Sequence, residues 1–286
     1  MSRVIARLAL CATIALVPSL AACGSSSRTS TTSNPYHLIV PGVITAAVQS
    51  AQPPFVVASA GGGKPEGFAI DLAEEVAKRL GLRIEYKVTD LQGTLTGLPG
   101  NRYDMGISGV GATAERRKNV DFIKPYYWGY VAVLTKKTSA AASMNAFAGK
   151  KVGVVSGSVQ EKFAATGVPG STLVKFKDQP AAIGQLLTDG IAGFVVGGAD
   201  AEEYAAKEPT LKIAAEADTT QGTSFPVKKG NQALVDAFDT QIDDIVADGT
   251  YMTLYNKWFK RSPSAKLLEF RPGLAKVLSS ASPSVG

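Results

Sequence analysis

Strand-like and helix-like segments alternate along most of this chain, and that alternation limits its architecture more than any other feature. Residues 38–40, 84–88, 103–108, 151–155 and 194–196 read as short strands. Helical patterns stand between and after them. In 71–80, Leu72, Val76 and Leu80 share a face, Gly81 marks the stop, and Asp71 and Glu74 have capping-box spacing. Residues 158–163 and 181–187 predict two shorter helices. Residues 232–246 predict the strongest one: Leu234, Val235, Phe238, Ile242, Ile245 and Val246 lie on one side, with Asp236, Asp239, Asp243 and Asp244 mostly on the other. Repeated strand–helix alternation predicts an α/β protein, its mostly parallel sheets covered by helices.

The first residues describe an exported chain. Arg3 and Arg7 precede a mostly apolar run over 8–20, too short to span a bilayer. The run ends in Leu20-Ala21-Ala22-Cys23-Gly24, which resembles a bacterial lipobox. Residues 1–22 are therefore expected to be a lipoprotein signal peptide and Cys23 the lipid-attachment residue, which anchors the protein at the outer face of the cell membrane. More than one acyl chain is what stable anchoring requires. The other cysteine, Cys11, falls inside the signal, so no internal disulfide is expected and packing must supply the stability. Eight of the nine residues over 25–33 are Ser or Thr. Such a segment buries too little apolar surface to fold, so 23–35 reads as a lipidated tether.

Charge excludes some partners. The chain carries 30 basic and 24 acidic residues, a net +6 dispersed along its length. It has no arginine-rich helix and no basic run interleaved with aromatics, so nucleic acid is not expected as a partner. The single histidine, His37, sits beside the tether, and neither a metal site, a cofactor motif nor a catalytic residue is expected.

Several blocks in a fixed order carry a more specific signal. They are Pro53-Pro54-Phe55, Gly67-Phe68-Ala69-Ile70-Asp71-Leu72, Thr113-Ala114-Glu115-Arg116-Arg117, Val120-Asp121-Phe122 and Pro125-Tyr126-Tyr127. Gly149-Lys150-Lys151-Val152-Gly153-Val154 and Gly157-Ser158-Val159-Gln160-Glu161 follow, then Val227-Lys228-Lys229-Gly230-Asn231, Asp248-Gly249-Thr250 and Lys257-Trp258-Phe259. Together, from about residue 38 to about 260, they resemble the family 3 extracellular solute-binding proteins, the polar amino-acid-binding components of ABC importers. The resemblance implies a two-lobed, type II periplasmic-binding-protein clamshell: two mixed sheets flanked by helices and joined by a two-stranded hinge. It divides the chain into a first lobe at 36–129, a second at 130–220, a return to the first at 221–260, and an extension at 261–286 packed on the first lobe before fraying. Residues 130–135 are expected to be a strand that crosses between the lobes. The implied protein is a monomer that delivers a small carboxylate, an amino acid or a close relative of one, to a membrane permease.

Site residues also follow from the resemblance. Arg116 is expected to clamp the ligand carboxylate, because a guanidinium offers a planar fork of donors matched to two oxygens. Ser158 and the amide of Val159 are expected to meet the same group at a helix start. Ser158 with Glu161 also has capping-box spacing, which would use that hydroxyl internally. Thr113 either caps the short helix carrying Arg116 or donates to the ligand. Ser108 is a further polar contact, and Leu91 and Phe55 are apolar walls, with core packing an equal role for Phe55.

Three departures from the family pattern stand out. Gly111 occupies a position commonly held by Ser or Thr, and Gln52 one often held by a cleft aromatic. In Gly193-Phe194-Val195-Val196-Gly197-Gly198, glycines take the place of two family aspartates, and Gly198 stands where the ammonium-binding one belongs. Either Asp200 or Glu202 replaces that carboxylate, or the ligand is an organic acid, an opine or another small solute. Two other functions remain open on the same fold: a ligand sensor that docks on a receptor, and an enzyme resembling cyclohexadienyl dehydratases, with Asp200 or Glu202 as the acid.

Overall fold

The computed structural model describes residues 33–59 and 63–281. The expected signal peptide, Cys23 and nearly all of the tether lie outside the described residues.

The first sheet begins at β1 (Val43–Gln49), six of whose seven residues are buried. Burial on both faces is the mark of a strand inside a helix-covered sheet. The chain then forms α1 (Phe68–Arg79), β2 (Arg83–Thr89), α2 (Leu91–Gly97), β3 (Met105–Gly106), β4 (Val110–Gly111), α3 (Ala114–Arg117) and β5 (Val120–Phe122). Strand β1 pairs in parallel with β2, from Val43 opposite Arg83 to Gln49 opposite Thr89, and with β3 on its other side.

The second sheet takes the next five long strands: β6 (Tyr130–Lys136), β7 (Lys151–Val155), β8 (Thr172–Phe176), β9 (Gly193–Gly197) and β10 (Leu211–Asp218). Its order is β10-β6-β9-β7-β8, with β7 parallel to β8 and β9, and β6 antiparallel to both its neighbours. Helices α4 (Val159–Gly167), α5 (Gln179–Leu187) and α6 (Gly198–Lys207) connect and flank it. The chain then passes through β11 (Thr223–Ser224), which pairs with β4, and rejoins the first sheet at β12 (Pro226–Lys228), giving the order β2-β1-β3-β12-β5. Helices α7 (Gln232–Ala247), α8 (Thr250–Trp258), α9 (Ala265–Phe270) and α10 (Gly273–Ala281) complete the chain. The result is a mixed α/β protein of the two-lobed type II class.

Each lobe has its own core. An aromatic cluster of Phe55, Phe68, Tyr126, Tyr251, Tyr255 and Phe259 knits α1 and α8 to the first lobe through edge-to-face and tilted contacts. The second lobe packs aliphatics on both faces of its sheet, around Phe194 on one and Phe147 on the other.

Several boundaries differ from the sequence expectation for identifiable reasons. Residues 38–40 form no strand: Ile39 and Val40 are exposed, and a turn at Gly42, with φ 78°, delays the strand to Val43. The expected strand at 103–108 shrinks to Met105–Gly106, with the Asp104 carboxylate just before it accepting from the amides of Ile39 and Thr45. Helix α1 starts three residues before Asp71, from Gly67 at φ 129°, where a side chain would collide with the Phe55 carbonyl. No Asp71 cap forms; that carboxylate accepts from Lys257 Nζ and Trp258 Nε1, each at 2.7 Å. Residues 130–135 belong to β6, inside the second sheet, rather than to the crossing. The crossing lies just before them, where Tyr127 bridges Thr223 and the Thr223 amide donates to the Tyr127 carbonyl at 2.8 Å. Helix α7 matches its expected apolar face residue for residue.

The C-terminal segment is ordered by one buried cation. Arg271 is 1% exposed and its guanidinium bonds to Asp239 Oδ1 at 2.8 Å, to Asp243 Oδ1 at 2.7 Å and to the carbonyls of Lys124, Pro125 and Asp239. Leu267 and Leu274 are buried beside it.

Candidate functional site

Between the two sheets, next to the hinge, lies a cleft that is partly continuous with solvent. Nine of the eleven residues expected at the ligand line it: Gln52, Phe55, Leu91, Gly111, Arg116, Ser158, Val159, Gly198 and Asp200.

Arg116 reaches the cleft from α3. Thr113 caps that helix, its hydroxyl accepting from the Arg116 amide at 3.2 Å. The guanidinium then spans the lobes: Nη1 donates to the Gly111 carbonyl at 2.7 Å and Nη2 to the Gly157 carbonyl at 3.0 Å. A guanidinium has five N–H donors, so three remain. No carboxylate among the described residues pairs with Arg116, and burial pulls its pKa down to about 10. A half-buried cation with spare donors and no counter-anion is an anion site in waiting.

Ser158 faces it from the second lobe. It caps α4, the hydroxyl accepting from the Glu161 amide at 3.0 Å, while Glu161 Oε2 accepts from the Gly157 amide at 2.5 Å. The capping role is thus formed. The hydroxyl proton is not consumed by it, because Oγ acts there only as an acceptor. By position, the first amides of α4, Val159 and Gln160, have no intrahelical acceptor. Gly111 brings the first lobe close to this turn: a Cβ there would sit 3.0 Å from Val159 Cγ1. The glycine in place of the family hydroxyl is what admits that close approach.

Asp200 lines the cleft from the second lobe. It lies in the first turn of α6, is 3% exposed, and accepts from Gln179 Nε2 at 2.7 Å. Burial pushes its pKa up to about 7. Glu202, the other candidate replacement, does not line the cleft; it accepts from the Tyr130 hydroxyl and pairs with Arg261 Nε, each at 2.5 Å. Gly198 is needed for a steric reason, since any side chain there would run into the Tyr130 ring.

The remaining expected residues divide. Leu91 and Phe55 present apolar surface, Phe55 from within the aromatic core. Gln52 spends its amide on the backbone of Gly109, donating to the carbonyl at 2.9 Å and accepting from the N–H at 2.8 Å, and so braces the loop before Gly111. Ser108 and Thr113 stand outside the lining. The Ser108 hydroxyl accepts from the Gln49 amide at 3.0 Å and its carbonyl from the Tyr126 hydroxyl at 3.0 Å. Thr113 is occupied by its cap.

Sequence reasoning missed Gln49, Tyr130, Gln160, Gln179, Thr219 and Gln221, all of which line the cleft. Gln160 lay inside a recognised block, Gly157 to Glu161. The others sit at strand ends, at a helix start or in the crossing, where no periodicity singles them out.

Comparison with known proteins agrees with this geometry. The family model for bacterial extracellular solute-binding proteins, family 3, matches residues 44–261. A probable histidine-binding protein of Campylobacter jejuni is 34% identical over 198 residues, 68% of this chain and 77% of that one. The L-cystine-binding protein TcyJ of Escherichia coli is 31% identical over 221 residues, 76% of this chain and 83% of that one. Among solved structures, an ancestral arginine-binding protein bound to arginine superposes with a TM-score of 0.72 at 32% identity, covering 76% of this chain and 98% of that one. With its hinged lobes and its cleft, this chain belongs to the bacterial extracellular solute-binding proteins, family 3.

Proposed function

We propose that the protein captures an amino acid in the interlobe cleft and delivers it to an ABC permease in the membrane. One observation carries the reading. Arg116, a cation without a protein counter-anion, and Asp200, a buried carboxyl, line a single cleft. That charge arrangement complements a zwitterion: the carboxylate goes to Arg116 and the α4 amides, and the ammonium to Asp200. Relatives named for binding histidine and cystine support the substrate class. Arg116 already bridges Gly111 and Gly157, so a ligand anion placed there touches both lobes and favours closure. Closure would create the surface that a permease recognises.

Residues 1–22 are proposed to direct export and Cys23 to carry the lipid anchor, with 24–35 as the tether. Replacing Cys23 by Ala should release the protein from the membrane fraction; continued membrane retention would overturn this part.

The ligand is testable by calorimetry on the mature protein with the standard L-amino acids and cystine. Binding of at least one is expected, together with a loss of about a hundredfold or more in Arg116→Ala, the scale for removing one partner of a buried charged contact. Unchanged affinity in that variant would end the carboxylate assignment. A buried carboxyl with a pKa of about 7 is also what a general acid needs, which keeps catalysis as a second reading. Turnover of prephenate or arogenate by the purified protein would favour it.

A further inference from the structure

Gln179 is absent from the expected site, yet its position is unusual. It is the first residue of α5, followed by Pro180 and preceded by Asp178, whose carboxylate caps the helix through the Ala181 amide. This rigid start points the Gln179 side chain into the cleft wall, where the residue is 7% exposed. Its Nε2 is committed to Asp200 Oδ1 at 2.7 Å. Its Oε1 is buried and has no hydrogen-bond partner. Two other buried side-chain atoms among the described residues share that condition, Tyr204 Oη and Ser224 Oγ, and neither residue lines the cleft.

A buried acceptor left unmade costs free energy, and native proteins keep few of them. Here the orphan lies beside the Asp200 carboxylate in the same cleft wall. A Cβ at Gly197 would fall 2.5 Å from Asp200 Oδ2, so only a glycine there lets the carboxylate pack where it does. Gln179 Oε1 and Asp200 therefore present adjacent acceptors, with no protein donor supplied for the first. Such a pair fits a group that brings at least two N–H bonds on one nitrogen centre or amidine; a hydroxyl, with one O–H, leaves one of the two acceptors unmade, and an ether leaves both.

We propose that Gln179 is a specificity-determining residue: its Oε1 receives an N–H from the ligand nitrogen held at Asp200, so that the cleft selects nitrogen-bearing carboxylates over their hydroxy analogues. The proposal rests on the amino-acid reading above and deepens it. It also explains how a chain with Gly198 in place of the family aspartate can hold a cation. The carboxylate moves to the next residue but one along α6, and an amide from α5 supplies the second acceptor.

The test uses isothermal titration of the mature protein with each standard L-amino acid and, for each that binds, the 2-hydroxy acid of the same carbon skeleton. Wild type should prefer the amino acid by about a hundredfold or more. In Gln179→Met, similar in volume but without the acceptor, that preference should shrink by about tenfold, while affinity for the 2-hydroxy acid stays within about twofold. Gln179→Glu restores an acceptor and should restore most of the preference. An equal loss for both ligands in Gln179→Met would show that Gln179 merely packs the wall, and an intact preference would show that Asp200 acts alone; either overturns the proposal. Failure of the underlying reading looks different. Arg116→Ala would then leave both affinities unchanged, or wild type would bind the 2-hydroxy acids as tightly as the amino acids.

Discussion

Asp200 makes the unliganded protein pay, in stability, for a site meant to hold a cation, and the cost can be measured. Burial raises this carboxyl from 3.8 to about 7. A difference of roughly 3 units at about 1.4 kcal/mol each is about 4 kcal/mol. The sign follows from which state binds the proton more tightly. The folded pKa lies above the unfolded one, so the folded protein retains a proton that the unfolded chain releases. Stability is therefore full below about pH 4 for this group and is lost as pH rises towards and through about 7. About 2.5 kcal/mol of that loss should fall between about pH 5 and about pH 8. The groups set around Asp200 are Gln179, which lowers the shift through its hydrogen bond, and the phenols of Tyr126, Tyr127 and Tyr204, each raised by its neighbourhood and neutral throughout that interval.

Asp200→Asn keeps the shape, still offers an oxygen to Gln179, and removes the titration. Urea denaturation of wild type and variant near those two pH values, without ligand, isolates the effect because other titrating residues such as Asp104 cancel in the difference. The variant should be more stable than wild type at the higher pH, by about 2–3 kcal/mol more than its advantage at the lower one. A pH-independent difference between the two proteins would refute the claim that Asp200 is held protonated by its dry surroundings.

The rest of the molecule supports three further expectations. Arg271→Ala should cost about 3–5 kcal/mol, because Asp239 and three backbone carbonyls would remain buried without their cation; a denaturation midpoint close to wild type would show that the C-terminal helices are not tied down this way. Gly198→Ala should destabilise by about 1–3 kcal/mol through collision with Tyr130, and most of that should vanish in a Tyr130→Ala background, which a double-mutant cycle reads directly. Arg261 lies over the Tyr130 ring and pairs with Glu202 and Glu216 of the second lobe. Arg261→Ala should therefore increase the radius of gyration of the unliganded protein in solution scattering, and no change would mean that the contact does not bias closure.

The sequence by itself determined what depends on local pattern and on ordered blocks. The apolar face of α7, the Ser158 cap, the α/β class and the nine cleft-lining residues among Gln52, Phe55, Leu91, Gly111, Arg116, Ser158, Val159, Gly198 and Asp200 were legible, because periodicity, capping chemistry and family spacing are written in consecutive residues. The tertiary structure alone decided everything that needed two distant segments at once. Asp71 reads as a helix cap until Lys257 and Trp258 arrive to claim its carboxylate. Asp200 and Glu202 are equivalent on paper, and only the neighbours Gln179 and Tyr130, far apart in the chain, send one into the cleft and the other to Arg261. The orphan acceptor on Gln179 has no sequence signature at all, since hydrogen-bond satisfaction is a property of surroundings that exist only once both lobes have folded.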